Sequence, residues 1–160
     1  MVTLGVLAIL VGVATPAYSL FILNTRAVTQ TNEFVLAMTY AKSEVVRRGG
    51  WVTVCARATD STCATAANWD NGWLVFTDAN YNGVVDGTDL VLQIRGPLEG
   101  GNTLRAGARA WVTFSSVGFI RPGNNDTFRL CDKRGTAKGE AVVMSLQGWL
   151  STQVGTASCP

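Results

Sequence analysis

The chain has 160 residues, enough for one domain with an appendage. Its charged fraction of 15% is below the roughly 25% of ordinary soluble domains, and a net charge of +2 is too small for a strong electrostatic claim on nucleic acid or anionic lipid. It has no histidine, which excludes Ser-His-Asp and Cys-His nucleophile systems, HExxH zinc sites and histidine pH switches.

The charge deficit is local. Residues 1–25 carry no charged side chain, so every charge lies beyond Thr25. The run from Val2 to Leu23 is long enough, as a helix, to span a hydrocarbon core of about 30 Å. A secretory signal would need a basic start and a shorter apolar stretch, and no basic residue precedes Arg26. The run therefore predicts a membrane helix carrying Val2, Leu7, Leu10, Pro16, Phe21 and Leu23. Pro16 removes one helical hydrogen bond, which predicts a kink of the kind lipid helices tolerate.

The helical pattern continues past this run. Ala27, Val28, Thr31, Phe34, Val35, Met38, Ala41, Val45 and Val46 recur mostly at steps of three and four, the stripe of an amphipathic helix. Arg26, Gln30, Glu33, Lys42, Glu44, Arg47 and Arg48 lie largely off it. Gly49-Gly50 ends the helix, with Arg47 and Arg48 placed against its C-terminal dipole. Three parts follow: residues 1–25 as the membrane half of the helix, 26–50 as its amphipathic half, and 51–160 as a globular body.

The body reads as β. Strand-like runs cover Trp51–Ala56, Trp73–Thr77, Leu90–Arg95, Ala110–Ser115, Thr127–Cys131, Ala141–Leu146 and Trp149–Val154, separated by Gly, Asn, Asp and Pro clusters. One antiparallel sheet, or two, laid on the helix stripe would bury both surfaces, an α+β arrangement.

The four cysteines, Cys55, Cys63, Cys131 and Cys159, include no CxxC pair, which disfavours zinc ribbons and thioredoxin-like sites. A body held outside the cytoplasm makes disulfides the default. Of three connectivities, Cys55–Cys63 closing a short loop and Cys131–Cys159 pinning the tail is favoured.

Residues 78–89 match the twelve-residue calcium loop. Asp78, Asn80, Asn82, Asp86 and Asp89 supply oxygens at positions 1, 3, 5, 9 and 12, and Val84 offers its carbonyl at position 7. Asp89 replaces the usual glutamate, so affinity should be modest. A hairpin turn built on Asn and Asp is the alternative, since a strand rather than a helix precedes the loop. No other cofactor is expected.

The five tryptophans mostly suit a β core, with Trp69 and Trp149 expected at the surface. Arg105, Arg109, Arg121, Arg129 and Arg134 are scattered, which suits a solvated surface better than a DNA patch. Asn125-Asp126-Thr127 is a weak glycosylation match. No catalytic constellation appears.

A long N-terminal helix followed by a β-rich body with disulfides resembles a type IV pilin or pseudopilin. Residues 1–18 are similar to the region after the pilin leader, with Pro16 at the place of the kink proline. AKSEVVRRGGWVTVC (41–55), GWLVFTDANYNGVVD (72–86), VTFSSVGFIRP (112–122) and TFRLCDKRG (127–135) resemble segments of the GspH/FimT-type minor pilins. The resemblance implies a pilin fold and no enzyme. It implies a tip or assembly subunit of a type II secretion pseudopilus or a type IV pilus, with the apolar helix in the filament core. It further implies a single-pass protein of the bacterial inner membrane with its head in the periplasm, and partners among other pilin subunits and the assembly platform. A leader, a methylated N-terminal residue and a glutamate belong upstream of Met1 in that pattern. Its DNA-binding members, receptors for natural transformation, carry Gly-Arg-x-Arg where this chain has Gly148-Trp149-Leu150-Ser151, so nucleic acid is not an expected partner.

Overall fold

The computed structural model describes residues 2–155 and 158–159, with the side chains at positions 2, 4–11, 13–16 and 137 outside the described set. Among the described residues one α-helix, α1 (Val2–Arg48), precedes nine strands. They are β1 (Val52–Thr59), β2 (Thr62–Cys63), β3 (Trp73–Thr77), β4 (Val91–Arg95), β5 (Thr103–Arg105), β6 (Trp111–Phe114), β7 (Thr127–Cys131), β8 (Glu140–Met144) and β9 (Leu150–Val154). This is the α+β arrangement expected, with two sheets rather than one.

The first sheet runs β2-β1-β3-β4, with β6 also paired to β1. The second runs β5-β7-β8-β9. All named strand pairs are antiparallel. Alternation decides which side of each strand meets the helix. In β3, Trp73 and Val75 join the helix-side core, while Leu74 and Phe76 join Cys55 in a smaller cluster on the opposite face.

The helix stripe lies in the core. Ala27, Phe34, Met38, Ala41 and Val45 are buried. Val28 and Val46, expected on that stripe, are exposed, and Gln30 and Glu44, expected off it, are buried. The burying surface is thus rotated slightly from the apolar pattern. Gln30 is admitted because it has partners: its amide nitrogen donates to the Glu99 carbonyl at 3.1 Å, and its amide oxygen accepts from Asn102 at 2.7 Å. Glu44 accepts from Arg47 and Arg48, so these arginines serve a side chain as well as the helix end. Gly49, at φ 69, ends the helix in the left-handed region that glycine enters without a Cβ clash.

Phe34 is the centre of the packing. Its ring lies 5.6 Å from Trp69, 5.3 Å from Trp73 and 4.7 Å from Phe128. Trp73 belongs to the first sheet and Phe128 to the second, so one helix residue joins both. Trp69, expected at the surface, is fully buried here, and its indole N–H donates to the Arg109 carbonyl at 2.9 Å. A buried ring with its one polar atom satisfied is stable even between the polar neighbours Asn68 and Asp70. Phe34→Ala should lower head stability by about 3–5 kcal/mol. Chemical denaturation followed by tryptophan fluorescence would measure it, and a loss under about 1 kcal/mol would contradict this packing.

Candidate functional site

Three features can carry function: the free side of α1, the acidic loop and the cross-linked tail. Tyr18, Leu20 and Phe21 are exposed on the lower part of the helix, below most of the head contact. Leu23, expected in the membrane or filament core with Phe21, is instead buried. The head reaches that level, because Arg134 donates to Asn24 Oδ1 at 2.6 Å. The side chains of Val2, Leu7, Leu10 and Pro16 lie outside the described residues. Among the described residues no helix is long and apolar enough to cross a membrane.

The acidic loop is closed by its own hydrogen bonds. Asp78 is fully buried. Its carboxylate accepts from the Thr53 hydroxyl at 2.6 Å and from the backbone N–H groups of Asn82 and Gly83, each at 3.1 Å. The Thr53 hydroxyl also lies 2.6 Å from that of Thr113, which carries the network through β1 to β6. Asn80 and Asn82 both donate through their amide nitrogens to Asp86. Asp89 accepts from the backbone of Ala79 and Asp86, and Val84 donates to Asn82 Oδ1. Asp78, Asn80, Asn82, Asp86 and Asp89 are therefore gathered in one loop whose hydrogen bonds already engage their side chains. Among the described residues no group of three His, Cys, Asp or Glu side chains is placed to hold a metal ion.

Both disulfides are present: Cys55 is bonded to Cys63 and Cys131 to Cys159. The second closes 28 residues and ties the tail to β7. Next to it, Asp132 is buried beneath Arg134. Burial alone would push the Asp132 carboxyl up. The side-chain and backbone hydrogen bonds from Arg134, with the charges of Arg134 and Lys133, outweigh burial and hold it below its ordinary value.

The scattered arginines do not gather. Arg105 pairs with Asp70, Arg121 donates to the Tyr81 carbonyl, and Arg129 donates to Thr127. Asp126, in the glycosylation match, caps the backbone N–H groups of Gly107, Ala108 and Arg109. One cleft of about 230 Å³, beside α1, is lined by the Glu33–Arg95 ion pair at 2.8 Å and by Arg26, with no nucleophile–base pair among its described lining residues. Trp149 is exposed as expected.

The profile of the family described as "Type II transport protein GspH" matches residues 30–148. The chain belongs to the GspH family. It is a family of structural, pilin-type subunits, and the membership agrees with the resemblance to GspH/FimT-type minor pilins. A search of curated proteins finds no match. Among solved structures, the chain is similar to the type IV minor pilin FimU of Pseudomonas aeruginosa (strain PAO1), seen in two crystal forms. The first match has 18% identity and a TM-score of 0.67, covering 88% of this chain and 96% of that one. The second has 19% identity and a TM-score of 0.60, covering 81% and 93%. At these identities the likeness shows the pilin fold.

The Asp132 shift has a pH signature. A carboxylate whose folded pKa is depressed stabilises the fold above its unfolded pKa, near 3.9, and loses that contribution as pH falls through the folded value. The denaturation midpoint of the chain should therefore drop on acidification below about pH 4. Arg134→Met leaves a buried unpaired carboxylate and should cost about 3 kcal/mol at neutral pH. In that variant the acid-dependent loss from this pair should vanish. Equal acid sensitivity in the two proteins would refute the pairing.

Proposed function

We propose that the protein is a minor pilin or pseudopilin that helps assemble, or sits at the tip of, a type II secretion pseudopilus or a type IV pilus. The observation carrying this is the division of α1. One side is built into the head through Phe34, while Tyr18, Leu20 and Phe21 stand exposed below it. Exposed apolar residues on a helix need a bilayer or other helices to cover them. Family membership supports partners of the pilin type. The uncharged run from Val2 to Leu23 supports insertion in the bacterial inner membrane, with the head in the periplasm.

The DNA-receptor alternative has less support. Residues 148–151 offer no arginine, and the arginines of the head are mostly engaged or dispersed. Removing the gene should abolish or strongly reduce secretion or piliation in its host, scored by secreted protein and surface filaments. Unchanged levels of both would defeat the assembly proposal. In a gel shift at about 150 mM salt, affinity should not exceed the 10⁻⁴–10⁻⁶ M of non-specific binding. Tight binding would favour the receptor.

For the acidic loop we propose a self-closed turn. Its donor spacing suits calcium, yet both asparagines would have to turn their amide oxygens inward. Calorimetry with millimolar calcium against EDTA should give the same melting temperature. A rise of several degrees would mean that calcium is a resident ligand.

A further inference from the structure

Two turns of the head have the same form. Ser115-Ser116-Val117-Gly118-Phe119 and Ser145-Leu146-Gln147-Gly148-Trp149 each run serine, two residues, glycine, aromatic. In each, the serine N–H donates to the aromatic carbonyl and the glycine N–H donates back to the serine carbonyl. Both glycines have positive φ, 78 at Gly118 and 70 at Gly148, so each turn needs its glycine. The first turn follows β6 of one sheet and the second precedes β9 of the other.

The turns meet over one helix residue. A Cβ on Gly148 would sit 2.8 Å from the Gly118 carbonyl oxygen, and one on Gly118 would sit 3.2 Å from Lys42 Cε. The Lys42 ammonium donates to the carbonyls of Gln147 and Gly148 at 3.4 and 3.3 Å and lies 5.3 Å from the Trp149 ring centre. The cation thereby restrains an indole that is 72% exposed. Phe119 is 51% exposed, and Val117 and Leu146 beside them are also exposed. The turns thus form an apolar patch with one restrained indole, Trp149, beside the exposed Phe119, the chemistry of an interface hot spot.

The helix indicates what covers it. At 3.6 residues per turn, the exposed Phe21, Val28 and Val46 fall on one side of α1 within about 20°, and Lys42 lies within about 60° of them. The patch therefore borders the free side of the helix that carries these three apolar residues. A chain that covers that side along its length also reaches the twin turns. Area argues the same way. With roughly 150–250 Å² for a large aromatic, the patch offers on the order of 400 Å², about half of what one partner buries in a standard stable interface. That is too little to hold a free protein from solution. It suffices for a neighbour already held alongside through its helix, where effective concentration replaces area.

We propose that the twin turns, centred on Trp149 and Phe119, dock the head of a neighbouring pilin-fold subunit whose helix lies along the Phe21–Val28–Val46 side of α1. This names the contact for the assembly function proposed above and rests on it.

The test uses the full chain in its native membrane. A photo-crosslinking phenylalanine analogue at position 149 should capture a pilin-fold subunit, identified by mass spectrometry, whereas the same probe at exposed position 84 should not. Trp149→Ala with Phe119→Ala should reduce filament assembly or secretion roughly tenfold without lowering the melting temperature, and Trp149→Phe should restore most of it. Absence of a crosslink at 149, capture only of a protein without the pilin fold, or equal capture at 84 would overturn the docking site. So would full activity of the double variant. If deleting the whole gene changes nothing, the assembly function itself fails. If deletion stops assembly but the double variant works, only the twin-turn contact fails.

Discussion

Phe34 fills the space where the helix and both sheets converge, and the rest of the head depends on that contact. Its ring touches Trp73 from the first sheet, Phe128 from the second and Trp69 from the loop before β3. No strand of one sheet pairs with a strand of the other among the described residues. An isolated bridge between Asn68 and Arg105 links the second sheet to the loop before β3. The two sheets therefore share a core chiefly because both pack on one helix. Burial of large aromatic surface, rather than backbone hydrogen bonding, makes them one body.

Polar contacts then fix the helix in register. Arg134 reaches Asn24, Gln30 engages Glu99 and Asn102, Glu33 pairs with Arg95, and Lys42 holds the twin turns. These fasteners are spread over about five turns of α1. The exposed ones add little stability each, under about 1 kcal/mol. Their value is positional: a helix that slid or rotated by one residue would lose all of them together. The same fixed register places Phe21, Val28 and Val46 on the side away from the core.

Strong period patterns were legible in the sequence. The runs at 73–77 and 127–131 match β3 and β7 at both ends, the first as a continuous apolar, aromatic-rich run and the second as a partly alternating one, each bounded by turn formers. The helix and its Gly49 stop were equally plain. β2 and β5 escaped notice because two or three residues carry no period. The polar neighbours of Trp69 point to the surface, and only tertiary contacts reveal that the loop folds its one large ring inward. The stripe included Val28 and Val46 because composition shows that a residue is apolar, not whether a partner covers it. The acidic loop's donor spacing was visible, but the direction of each amide was not. The repeated serine-to-aromatic form of the two turns was present in the letters. Its significance needed the structure, which brings residues thirty positions apart over one lysine.

That helix is at once the handle of the molecule and the filling of its head, which has a mechanical consequence. Tension applied along α1 acts parallel to the helix–sheet contact. It must shear the Phe34 ring, the neighbouring core residues and the polar fasteners at the same time, rather than peel them one after another. Parallel contacts share a force, whereas serial contacts fail singly. The Cys131–Cys159 bond ties the segment after β9 covalently to β7, so that segment cannot peel away first. A subunit built this way can be pulled or pushed by its helix and still deliver its head intact.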